Sequence, residues 1–136
     1  MGIKMRPRGL RNNNPGNLRL SKDKWKGLSE KQEDKSFFQF VSIEWGYRAL
    51  IITLQNYRRK HGCQSIRDFI KRYAPEVENN TEAYINAVCS KMGKKDDWCP
   101  NIDDKVTMVM FASAISYVEN GELAIVEDVV KGWDLI

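Results

Sequence analysis

Of the eighteen acidic side chains in this 136-residue sequence, Glu119 and Glu44 stand where helix position would bias their chemistry. Met108, Ala112 and Ile115 precede position 119 at steps of four, three and four, so the Glu119 carboxylate continues a row that faces the core. It also falls in the last turn of its helix, where the dipole opposes negative charge. Desolvation and the dipole together favour a protonated carboxyl, the state a general acid needs near neutral pH. A Glu at a fraying helix end, reaching out to water, satisfies the same pattern. Glu44 is placed in the opposite way, in a first helical turn whose dipole favours the ionised form. Two carboxyls pushed apart like this suit glycoside chemistry, although a Glu in a first turn also stabilises its helix.

Polar and aromatic groups supply the other possible contacts. The stretch "GLRNNNPGNL" (9–18) brings Asn13, Asn14 and Asn17 together, either as turn chemistry or as a row of amides for a polar ligand. Trp25 sits among lysines in a polar loop and is the aromatic best placed to stack on a sugar ring. The other aromatic residues read as core. No GxGxxG, Walker loop, HExxH or GxSxG motif occurs, which argues against nucleotide, zinc-protease and serine-hydrolase chemistry. Cys63, Cys89 and Cys99 form no CxxC, and His61 is the one histidine, so the sequence offers no metal site and implies no cofactor. Buried reduced thiols are expected, with a Cys89–Cys99 bridge as the alternative.

These groups must be held by helices. "SIEWGYRALIITLQNYRRKHG" repeats apolar residues at helical steps between a cap at Ser42 and a stop at Gly62. Further helices are expected from Ser65 to just before Pro75, from Asn80-Thr81 to Gly93, from the Asp103-Asp104 pair to Asn120-Gly121, and across "ELAIVEDVVKGW". "FFQFV" predicts a small strand within an irregular or β-containing insert at 17–41. The expectation is one mainly helical domain spanning residues 1–136. The formal charge of +4 suits an anionic partner without choosing among cell-wall polymer, nucleic acid and membrane surface. No window is apolar enough for a membrane span, and the start lacks the apolar run of a signal peptide. Synthesis in the cytoplasm is therefore expected.

"GLRNNNPGNLR", "WKG", "FFQF", "EWGYRAL", "YAPEVENNTEAYINAV" and "AISYVENGE" follow in an order that resembles a family of small lysozyme-like proteins of phages and prophages, often described only as virion proteins. The resemblance covers 9–122. The order also resembles a circular permutation of the wider lysozyme and lytic-transglycosylase superfamily, with the segment holding the catalytic Glu moved to the end. It implies an α+β lysozyme-like fold, a monomer acting on peptidoglycan glycan strands, and action on the wall after release or as a virion component. Glu119 takes the place of the catalytic Glu, with Asn120 where Ser is usual. Glu44 is then the candidate second carboxylate, and Asn13, Asn14, Asn17, Tyr84 and Trp25 are the candidate sugar contacts. No specific nucleic-acid partner is implied. A non-catalytic virion or wall-binding protein of the same fold is the alternative.

Overall fold

The computed structural model describes residues 5–136. It is mainly helical, with α1 (Arg8–Arg11), α2 (Ile43–His61), α3 (Ile66–Tyr73), α4 (Thr81–Met92), α5 (Lys105–Asn120) and α6 (Val126–Asp134). The one-turn α1 was not foreseen; it begins directly after Pro7, whose fixed φ suits a helix entrance. Asn80 and Asp104 cap α4 and α5 by accepting from the Ala83 and Thr107 amides. Ser65 makes a reciprocal capping box with Asp68, whose carboxyl the Gln64 and Ser65 amides hold below its usual range. Ser42 occupies the cap position of α2, yet its hydroxyl makes no capping bond. Gly62, Gly93 and Gly121 end α2, α4 and α5 in the left-handed region.

α2 serves two cores. Tyr47, Leu50, Ile51 and Leu54 enter the main one, with Phe69, Ile85, Met108, Phe111 and Ile115 from the surrounding helices. Ala49 and Trp45 instead meet Phe38 and Phe40 in a smaller aromatic cluster beneath the 17–41 segment. α6 closes against α2 because position 132 is glycine: a Cβ there would stand 2.9 Å from the Arg48 amide nitrogen. Arg67 fixes α3 to the start of α4 through Glu82 (2.6 Å) and to the following loop through Asp96 (2.6 Å).

The expected strand at "FFQFV" does not extend into a ladder. The 17–41 segment carries isolated antiparallel bridges, Arg19 with Phe37 and Leu28 with Phe40. Side chains do much of the pairing instead. Gln32 donates to the carbonyls of Ser29 and Gln39, and Asp34 accepts from the amides of Ser36 and Phe37. Arg8 binds Asp34 through two nitrogens, at 2.8 and 2.7 Å, which ties α1 onto this segment. That guanidinium holds the Asp34 carboxyl well below the usual carboxylate range.

All three cysteines are free. Cys63 is buried, and burial raises its thiol pKa, but Cys89 is only half-buried and Cys99 is exposed, so burial does not extend to the whole set. Cys99 stands in a loop anchored at Trp98 and Asp96, whose carbonyls accept from the Ile66 and Arg67 amides. Among the described residues no helix is long and apolar enough to cross a membrane.

Candidate active site

The row on α5 runs as its spacing requires: Met108, Ala112 and Ile115 are fully buried, and Glu119 emerges half-buried at its end. Two residues from distant parts of the chain hold the carboxylate. The Asn17 amide donates to Oε1 at 2.8 Å, and the Tyr84 hydroxyl donates to Oε2 at 2.7 Å. Asn17 is 102 positions away in sequence and Tyr84 is 35.

The local backbone explains how Asn17 reaches it. Asn13 and Asn17 both have positive φ, 52° and 49°, a region that Asn tolerates better than other side-chain-bearing residues. The chain therefore doubles back between them over Pro15 and Gly16. Asn120, next to Glu119, clasps this turn by donating to the Pro15 carbonyl at 2.8 Å. Tyr73 of α3 donates to the Gly16 carbonyl from the other direction. Gly9 closes the arrangement, since a Cβ there would lie 2.8 Å from Asn17 Oδ1 and 2.5 Å from Asn120 Oδ1. The Asn120–Gly121 turn thus lies against the 9–18 stretch.

A cleft of about 440 Å³ opens beside Glu119. Asn17, Arg19 and Phe37 line it from the insert, Tyr57 from α2, Arg72 and Tyr73 from α3, and Glu78 and Asn79 from the α3–α4 loop. Arg19 and Glu78 form an ion pair of 3.2 Å. The tyrosines pack in series: Tyr57 and Tyr73 ring centroids are 6.3 Å apart, and Tyr73 and Tyr84 are 6.4 Å apart. Burial first, then the Glu119 charge, pushes the Tyr73 phenol well above its ordinary pKa. Burial and the neighbouring Tyr73 and Glu119 do the same at Tyr84. Both phenols therefore stay protonated as donors across the physiological range.

The other expected site residues are placed elsewhere. Glu44 does not line this cleft; its part of α2 faces α6, where its carbonyl lies against Gly132. Asn14 is fully buried, donating to the Leu18 and Phe38 carbonyls and accepting from the Leu18 amide, so it organises the turn instead of meeting a ligand. Asn13 donates to the Phe40 carbonyl and borders a different cavity, beside Ile43 and Tyr47. Trp25 packs on the small aromatic core and borders a neighbouring depression that shares Tyr57 with the Glu119 cleft. Sequence reasoning missed Arg19, Phe37, Arg72, Tyr73 and Glu78, which converge only through tertiary packing. Tyr73 opens the "YAPEVENNTEAYINAV" segment that carries the resemblance, and that was the available signal.

No family model matches the chain. Protein P5 of Pseudoalteromonas phage PM2 is 39% identical over 127 residues, a match that covers 91% of this chain and 78% of that protein. The chain belongs to the family of this phage protein.

Proposed function

We propose that this protein is a peptidoglycan-cleaving glycosidase, a lysozyme or lytic transglycosylase, with Glu119 as its general acid. The observation that carries the reading is Glu119 itself: a half-buried carboxyl at a helix end, oriented on both oxygens and bordering a polar cleft with an aromatic wall. Orientation of this kind is what proton delivery to a leaving oxygen requires. A protonated Oε2 still accepts from Tyr84 while its own proton points to a sugar.

Glu44 has no part in this scheme. The reading becomes a single-carboxyl route, one of the recognised exceptions to paired catalysis. Glu119 gives its proton to the glycosidic oxygen as the C1–O bond breaks. The carbonyl oxygen of the substrate's own N-acetyl group bonds to C1 and stabilises it. The Glu119 carboxylate then takes a proton from water, or from a sugar hydroxyl, as that oxygen attacks C1 and the bond from C1 to the N-acetyl oxygen breaks, which restores the N-acetyl group. Asn17 is the amide that orients the acid, and Arg72 offers charge to anionic groups of the polymer.

The test is Glu119→Gln, which preserves size and loses the proton. Release of soluble fragments from purified peptidoglycan is expected to fall by about 10²–10⁴-fold, with folding and binding to the wall polymer retained. Wild-type turnover in the variant would remove Glu119 from the mechanism. A second reading, a non-catalytic virion or wall-binding protein, is favoured by one feature: both Glu119 oxygens already accept hydrogen bonds inside the protein. An inactive wild type that still binds several wall chemotypes would select it.

A further inference from the structure

α5 carries a second apolar row, away from the core. Val106, Met110, Ser113 and Tyr117 follow at steps of four, three and four, the same spacing that leads to Glu119 on the other row. A helix with apolar residues on more than one face is normally covered on both. Here the second row is open: Val106 is 67% exposed and Met110 is 40% exposed. Across from it, Leu123 and Val126 are 73% and 58% exposed. Between these walls runs a groove of about 550 Å³.

Three features describe what would fill it. The groove follows α5 from Lys105 to Tyr117, about 18 Å at 1.5 Å per residue, the length of roughly three helical turns. Its floor at Ser113 and Ala114 is built of small side chains, so an occupant can come close to α5 at mid-groove. Its charge is one-signed: among the described residues Lys91 and Lys105 line it and no carboxylate does. Lys105 is neutralised by Asp134 at 2.9 Å. Lys91, whose ammonium lies 3.9 Å from the Tyr117 ring centroid, forms no ion pair among the described residues and faces the far end.

We propose that this groove receives a three-turn amphipathic helix from another protein, apolar along one face and acidic at the end that meets Lys91. A second copy of this chain fits poorly, because the same lining offers Lys91 no acidic partner and the adjacent Asp134 is already paired with Lys105. The concave shape suits a rod lying in a trough better than a lipid surface, and an amphipathic helix docks in such a trough through its own i, i+4, i+7 face. The proposal is independent of Glu119 and the peptidoglycan reading.

The experiment measures fluorescence anisotropy with a small panel of labelled 14-residue amphipathic peptides. They carry leucines at i, i+4, i+7 and i+11 and either two Glu or two Lys at one end. The acidic peptides are expected to bind about threefold to fivefold more tightly at low salt, the size of one partly exposed ion pair. Lys91→Glu should reverse that order. Met110→Asp, at an exposed position that leaves the fold intact by circular dichroism, should weaken every peptide at least about tenfold by setting a charge in the apolar wall. Glu119→Gln should change nothing. The proposal is overturned if no acidic peptide binds, if Lys91→Glu leaves the preference unaltered, or if Met110→Asp leaves affinity unchanged. Met110-dependent dimerisation in sedimentation, or Met110-dependent binding to phosphatidylglycerol vesicles in preference to peptide, would overturn it equally.

Discussion

Tyr84 and Asn17 each satisfy one oxygen of Glu119, and each is irreplaceable in a different way. Removing the Tyr84 hydroxyl leaves a half-buried carboxylate oxygen without its donor and frees the carboxyl to rotate. Tyr84→Phe keeps the ring, which is only 6% exposed and packs in the main core. The stability loss should therefore be close to that of leaving one buried acceptor without its donor, about 1–3 kcal/mol. If the proposed chemistry holds, the reorientation should cost up to about 10²-fold in turnover. Urea unfolding and peptidoglycan digestion measure the two effects. A fall in turnover with unchanged stability would mean that the hydroxyl acts on the substrate and not through Glu119. Glu119 was legible in the sequence because helical periodicity carries a row of side chains forward without knowledge of the fold. Its donors were legible only as candidates, since nothing local says which of four neighbouring asparagines will turn outward. Positive φ at Asn17, together with the clasp of Asn120 on Pro15, decides it.

α2 shows how an element positions a site it barely touches. Gly46 lies in its second turn, where Ala would be the better helix former by roughly 1 kcal/mol. The Asn13 carbonyl and the Pro15 ring press against that position, so a Cβ would meet Pro15 Cδ at 2.7 Å and the Asn13 carbonyl closer still. Both neighbours belong to the tight 13–17 turn and cannot retreat without moving Asn17. Overpacking costs about 1–3 kcal/mol, which exceeds the propensity gain. Gly46→Ala is expected to lower stability in urea by up to about 2 kcal/mol and to loosen Asn17 from Glu119, seen as a shift of the Asn17 side-chain amide in NMR spectra. A more stable variant with an unmoved amide would show that the turn yields easily. The larger helices were readable from periodicity and caps, because Asn80, Asp104 and the glycine stops act locally. α1 and the insert were not. One helical turn has no period to detect, and the 17–41 segment is paired largely by side chains such as Gln32, Asp34 and Gln39, which leave no alternating pattern.

At the scale of the whole molecule the site lies on the seam between two unequal cores. The main core draws on α2 through α6, whereas the 17–41 segment rests on Phe38, Phe40 and Ala49 with a few half-buried neighbours. Asn17 belongs to the weaker side and Glu119 to the stronger. Regions with few buried apolar contacts open first, so the cleft should come apart by release of the insert while the helices remain. The backbone bonds Leu20 N–H to Ser36, Phe38 N–H to Leu18 and Phe40 N–H to Asn12 report that opening, against Leu50 and Leu54 within α2. pH should widen the difference. Asp34 is held below its unfolded pKa of about 3.9 mainly by Arg8, so its contribution is complete above that value and is lost as pH falls through the lower folded value. Protonation then releases α1 and the amides of Ser36 and Phe37 together. Hydrogen-exchange protection at Leu20, Phe38 and Phe40 is expected to be lower than at Leu50 and Leu54 at pH 5, and lower again at pH 2.5. In Asp34→Asn the pH 5 value should already be reduced, with a smaller further loss on acidification. Equal protection of both sets at both pH values would mean that the insert and the helices open as one unit, with the Asn17–Glu119 contact as stable as the core beneath it.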